Sequence, residues 1–186
     1  MIDVEKNSAE RVRQGDIYRN IEYIEYAIEE YGIIDISKIV FPLIVVLTQD
    51  CDLQQDYTFR LHGEPKTSQD KYLLSVLVAP LYNADQFYLG EHLSELNLKM
   101  AGFESRSKKT ANKSLKNNEV PRYHYLDFPN DIPIVSSVID FKHYFSVNIE
   151  QLTAIKDTNF VCKVSQLYRE DISQRFASFL SRIGLP

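Results

Sequence analysis

The sequence predicts one α+β domain, an antiparallel, barrel-like sheet with added strands and a packed C-terminal helix. Three observations lead there. Apolar runs of strand length, rich in Ile, Val and Tyr, recur along the chain between polar, turn-forming stretches. Only the C-terminal stretch combines a clean helical stripe with a stop signal. The aromatic complement is 12 Tyr and 10 Phe with no Trp; Tyr sits half buried with its hydroxyl in water, which suits a sheet with one wet face. At 186 residues and 44% apolar content the chain has enough material for one core and too little for two comfortable ones.

The elements follow in order. Residues 1–14 read as a loose polar lead or a short helix. From Gly15 the pattern tightens, and residues 15–82 form the barrel-like half. Ile17, Ile21, Ile24, Ile28 and Tyr31 are spaced 4, 3, 4 and 3, as on a helix face. The crowding of β-branched and aromatic residues and the turn-forming Gly32 favour two strands joined near residues 30–32. Residues 42–47 read as a buried strand, with Pro42 at its first position, where a missing N–H costs least. Residues 54–70 are polar, carry Gly63 and Pro65, and read as a loop; residues 72–79, "YLLSVLVA", read as a second buried strand.

Residues 83–186 form an extension. Asn83 is placed to cap a helix running to about Met100, with Phe87, Leu89, Leu93, Leu96 and Met100 on its apolar side. Residues 105–118 hold five basic residues and no acid and read as an exposed loop. Strands are expected at 123–126, 134–140, 144–147 and 160–164. The last helix, 165–183, presents Leu167, Ile172, Phe176, Phe179, Leu180 and Ile183 along one stripe, with Gly184 and Pro186 as the stop.

Net charge is −5, so bulk electrostatics recruit no nucleic acid and any such binding needs a local basic patch. The start, "MIDVEKNSAERVRQGD", lacks the apolar core of a signal peptide, and no apolar run approaches the roughly 20 residues of a membrane span. With two cysteines, Cys51 and Cys162, a reduced cytoplasmic protein without membrane contact is expected.

Three stretches, "GDIY" at 15–18, "FPLIVVLT" at 41–48 and "LVAPLY" at 77–82, fall in an order that resembles the opening half of the PemK/MazF family of toxin endoribonucleases. The resemblance implies a small SH3-like barrel with helices, often dimeric, that acts on single-stranded RNA. It covers about the first 80 residues and about a dozen positions. The family's catalytic Arg would fall at Phe41 and its catalytic Thr or Ser at Tyr82. Phenylalanine neither stabilises a phosphorane nor moves a proton. The resemblance therefore implies a PemK-like barrel without the toxin's ribonuclease site, binding nucleic acid or a protein partner in a toxin–antitoxin or phage-defence setting. An endoribonuclease with a relocated site, using the basic loop with Arg122 and His124, is the alternative.

Three clusters carry candidate chemistry. In "TQDCDL" a cysteine stands between two aspartates. Cys51 reads as a nucleophile or ligand with Asp50, Asp52 and a distant histidine such as His124, the core of a small hydrolase or metal-dependent enzyme. The flanking carboxylates raise a thiol pKa and argue against a hot thiolate, while they suit a divalent cation; no cofactor is otherwise predicted. The competing reading points Cys51 into the core, with the aspartates capping a turn. In the second cluster, Arg106, Lys108, Lys109, Lys113 and Lys116 lead into "RYHYLDF". There Arg122, Tyr123 and Tyr125 interleave charge and rings as in single-stranded RNA or DNA binding. Alternation sets Arg122 with His124 on one face. The third, "VIDFKHYF", sets Asp140 three residues from His143, a carboxylate–imidazole spacing that fits a general base or a surface hydrogen bond. A protein partner or a homodimer through residues 21–36 completes the expectations.

Overall fold

The computed structural model describes residues 1–61, 68–103 and 113–182. Every strand pairing in it is antiparallel, and the sheet curls into a half-barrel whose order is β1-β8-β2-β3-β4-β6-β5, with β7 also paired to β4. The strands are β1 (Val4–Glu5), β2 (Asp16–Glu30), β3 (Ile33–Val46), β4 (Ser75–Asn83), β5 (Tyr123–Leu126), β6 (Ser137–Asp140), β7 (Phe145–Asn148) and β8 (Phe160–Val164). The helices are α1 (Asp50–Leu61), α2 (Ala84–Leu89), α3 (Lys113–Lys116), α4 (Ile149–Asn159) and α5 (Gln166–Leu180), with 3₁₀ turns at Ser94–Leu96 and Phe141–His143.

The ambiguous Ile/Tyr stretch is the long β2–β3 hairpin. Tyr31 and Gly32 close it, both at positive φ (53° and 79°), the two-residue turn whose twist matches that of the flanking strands. Helical spacing loses here because each strand finds a partner along its whole length. Pro42 is not at a strand start: β3 runs through it, and the Asn20–Pro42 step is absent from the paired register, Asn20 taking φ 56°. A missing N–H is tolerated because β3 meets β4 only from Ile44 onward.

One expected loop begins as a helix, and a stretch given no element is a second. Residues from Asp50 to Leu61 form α1 and residues from Ile149 to Asn159 form α4, so the centre of the sheet is covered on both faces. Along β2 and β3, Ile17 and Val45 face α5, meeting Ile172 and Phe176. Their neighbours Tyr18, Ile44 and Val46 face the other way onto Leu53 of α1 and Leu152 of α4. Each such fully buried aliphatic contributes about 1.5–3 kcal/mol. The expected wet face survives only on the hairpin beyond the core.

Asn83 caps its helix as expected, accepting a hydrogen bond from the Asp85 amide at 2.8 Å. The helix stops at Leu89 because Gly90 takes the left-handed conformation, φ 75°. β4 then serves three neighbours: β7 along Ser75–Val78, β3 along Val78–Pro80, and β6 along Leu81–Asn83. The N-terminal lead is tied down rather than loose: β1 pairs with β8, and Ile2 and Val12 are buried.

Candidate functional site

At α1 the chain turns the "TQDCDL" residues to three different surroundings. Asp50, at the helix start, accepts two hydrogen bonds from the Arg11 guanidinium, at 2.9 and 3.1 Å, and one from the Gln14 amide at 3.1 Å. Arg169 adds its charge at 3.7 Å. Burial pushes the Asp50 carboxyl up, but these donors outweigh it and hold it below the usual carboxylate range. Cys51 is exposed, a correction to the core-directed thiol, because the segment is a helix turn and not a strand end. The polar atoms beside its sulfur are the Asp52 carboxylate at 3.6 Å and the Gln49 side-chain oxygen at 3.9 Å. Among the described residues no three His, Cys, Asp or Glu side chains converge as a metal site.

The second cluster separates. Arg106, Lys108 and Lys109 lie outside the described residues. Lys113 and Lys116 are exposed on α3, and the Lys116 ammonium lies 5.9 Å from the centre of the half-buried Tyr125 ring. Both Lys116 and Tyr125 line an open hollow of about 500 Å³ that Asp85 and Asp127 share. Tyr123 packs its ring against Phe87 and Phe103. His124 does not share a surface with Arg122: β5 turns it into the core, 1% exposed, where Nδ1 has no hydrogen-bond partner among the described residues. Burial, and then the charge of Arg175, push it down to about 3, so it is neutral at pH 7. Arg175 reaches the backbone oxygens of Val120 and Tyr123 at 3.0 and 2.8 Å and anchors the approach to β5.

The third cluster gathers more than its sequence spacing suggests. Asp140, the last residue of β6, is fully buried. It accepts from Arg122 Nε at 2.8 Å and Nη2 at 2.5 Å, and from the Lys142 amide at 3.0 Å. That last bond caps the 3₁₀ turn that swings His143 back, leaving its Nδ1 3.6 Å from Asp140 Oδ2 and 3.0 Å from the Tyr82 hydroxyl on β4. Burial, then the Asp140 charge, raise the Tyr82 phenol, so its O–H keeps its proton and shares a hydrogen bond with His143 Nδ1. Burial lowers His143, with Asp140 opposing and Arg122 and Lys142 assisting. The imidazole is therefore neutral at pH 7.

Around this pair the surface hollows. A cavity of about 330 Å³ is lined by Phe41, Tyr82, Asn83, Gln86, His92 and Ser137, among others. A second, of about 260 Å³, shares Phe41 and Tyr82 and adds Tyr23, His143 and Tyr144. Phe41 stacks on Phe145 at 5.2 Å, and His92 packs between Tyr82 and Phe87 at 4.7 and 4.5 Å. Both His92 ring nitrogens are buried without a hydrogen-bond partner among the described residues. Burial, then the neighbouring His143, bring it down to about 4.

This groove has neutral imidazoles, a protonated phenol and a guanidinium already neutralised by Asp140. It can stack a planar ring and donate and accept hydrogen bonds at its edge. Tyr82 and His92 were not legible as partners of Asp140 and His143: they stand on other elements and no local motif links them. Comparison with family models and with curated proteins finds no match for the chain.

Proposed function

We propose that the protein is a PemK-like, SH3-like barrel module that binds single-stranded nucleic acid at the groove between Phe41, Tyr82, His92 and His143, in a toxin–antitoxin or phage-defence setting. One observation carries the reading: the rings of Phe41, Tyr82, His92 and His143 line two adjoining cavities. A nucleobase has the matching chemistry, two π-faces and a polar edge. The family resemblance supports the same place, since the positions where the toxin's Arg and Thr would fall, Phe41 and Tyr82, both line this groove. Lys113 and Lys116, on the neighbouring α3, suit the phosphates of the flanking chain.

A second reading, cleavage of RNA by a relocated site, is favoured by the 3.0 Å Tyr82–His143 contact. A neutral imidazole beside a protonated phenol offers a base and an acid for transfer from a 2′-hydroxyl to a leaving oxygen.

The test is fluorescence anisotropy with single-stranded RNA and DNA at near-physiological salt, using the natural chain, Phe41→Ala, and Lys113→Glu/Lys116→Glu. Loss of one stacked base predicts affinity weaker by about 5- to 150-fold in Phe41→Ala. The lysine variant is expected to lower the salt dependence. No binding by the natural chain rejects the proposal, and binding unaffected by Phe41→Ala removes the groove from it. The same RNA on a gel separates the two readings: cleavage that His143→Ala abolishes, with DNA left intact, supports the second.

A further inference from the structure

The β2–β3 hairpin leaves the body of the protein as an arm. β2 pairs with β8 only along Asp16–Tyr18, and β3 with β4 only along Ile44–Val46. Beyond those points both outer edges lack a strand partner among the described residues. Residues 22–30 alone extend about 30 Å at 3.3 Å per residue. A two-stranded ribbon without a third strand is marginal in water, and this one is not polar: Ile24, Ile28, Tyr31, Ile33, Ile34 and Ile36 are 48–102% exposed. Together they offer on the order of 600–800 Å² of apolar surface. They lie on both faces of the ribbon and at its tip, Ile33 and Ile34 pointing opposite ways, so a strand added at the β3 edge meets the side chains of each face from the side rather than covering one patch.

The two edges differ in charge. The β2 part of the arm carries Glu22, Glu25, Glu29 and Glu30 and no base, whereas β3 from Ile33 to Leu43 carries only Asp35 and Lys38, and Lys38 is bonded to Glu22 at 2.6 Å. Self-pairing through β2 would set glutamates against glutamates; pairing through β3 would not. Pro42, lacking an N–H, blunts the edge at the arm's base and confines pairing to residues 33–41.

We propose that the arm is the interface of a symmetric homodimer, in which β3 of one protomer adds antiparallel to β3 of a second copy and makes a continuous four-stranded ribbon. A two-fold at Ser37 sets Ile33 opposite Phe41 and Ile34 opposite Val40 of the second copy. No like charges then stand directly opposite, and the four glutamates of β2 stay on the outer edges. The interface is isologous and closes at two copies.

Sedimentation equilibrium of the natural chain tests this, alongside Ile36→Lys on the pairing edge and Glu29→Lys on the outer one, with thermal melts confirming that each variant folds. The expected mass is twice 21.6 kDa, with Ile36→Lys weakening self-association by about 100-fold or more and Glu29→Lys leaving it intact. In a Cys51→Ser background, Ser37→Cys is expected to form an inter-chain disulfide under mild oxidation and Glu29→Cys is not. A natural chain that stays at 21.6 kDa up to about 100 μM, well above the micromolar range of a weak specific dimer, overturns the proposal. So do a dimer indifferent to Ile36→Lys and equal cross-linking at positions 29 and 37.

Discussion

Asp140 is the point on which the candidate site turns, and its pair with Arg122 makes an asymmetric prediction. The carboxylate is 1% exposed at its side chain while the Arg122 side chain is 28% exposed. Removing one member of a buried pair costs about 3–5 kcal/mol when the survivor is left charged and dry. Arg122→Met leaves Asp140 in that state, with only the Lys142 amide among the described residues for a donor within bonding range, and about 3–4 kcal/mol is expected. Asp140→Asn leaves Arg122, which swings toward water. Asparagine also keeps the cap on the 3₁₀ turn, a contribution of about 1 kcal/mol; the expected loss is about 1.5–2.5 kcal/mol. The double variant is expected to be less destabilised than the sum of the two by about 1–3 kcal/mol, because neither unpaired charge remains. Urea unfolding at pH 7 with a common slope reads all three. A loss below 1 kcal/mol in both single variants, or a larger loss for Asp140→Asn than for Arg122→Met, refutes the reasoning that burial of the carboxylate decides the cost.

Other expectations follow from groups away from the groove. Asp16 is 1% exposed, and burial pushes its carboxyl up to about 6 against Arg13, Tyr18 and Lys163. The folded state thus holds this proton more tightly than the unfolded chain does. Its contribution is most favourable below pH 3.8 and falls by about 3 kcal/mol as pH rises through 6. Asp16→Asn should therefore gain about that much relative to the natural chain between pH 4 and 7, measured by denaturant unfolding; a relative loss over that window contradicts it. Cys51 should react with a maleimide under native conditions, while Cys162, fully buried and raised to about 12 by burial and Asp16, reacts only on unfolding; equal labelling rates in the folded protein would be the contrary result. A Cβ at Gly90 would lie 2.2 Å from the Met100 carbonyl oxygen at φ 75°. Gly90→Ala is expected to cost at least about 2 kcal/mol and to show as a drop in melting temperature, and an unchanged melt would mean that the α2 exit is not held as described.

What was legible in the sequence was what local chemistry dictates. Gly32 announced the hairpin turn, Asn83 its cap, and the alternation in "YHYL" the bounds of β5. The misses have physical causes. The α1 segment "DCDLQQDYTFRL" buries only Leu53 and Asp56, so it lacks the apolar stripe by which a helix declares itself. α4 is similar, burying Ile149 and Leu152. Gly90 was overridden by the Leu periodicity beyond it. At the candidate site, the Asp140–His143 spacing was visible because a 3₁₀ turn is local. Tyr82 arrives from β4 and His92 from the loop after α2, and only the sheet register brings them there. His124 looked like a surface residue because strand alternation gives parity without saying which side is dry.

The pairing of β1 with β8 has a temporal consequence. Val4 sits opposite Val164, and Ile17 of β2 opposite Cys162, so the first strands to be synthesised wait for almost the last. At 5–20 residues per second, the 113 residues between Val46 and Phe160 take on the order of ten seconds to appear. Through that interval the hairpin is complete and β4 can pair with its β3 side, yet the β2 side of its base lacks β8, and its isoleucine edges are open to any extended chain nearby. Non-local closure of this kind makes folding slow. The step most exposed to misassembly is therefore the wait for β8 on the ribosome, and efficient production is expected to depend on slowing aggregation of that nascent hairpin.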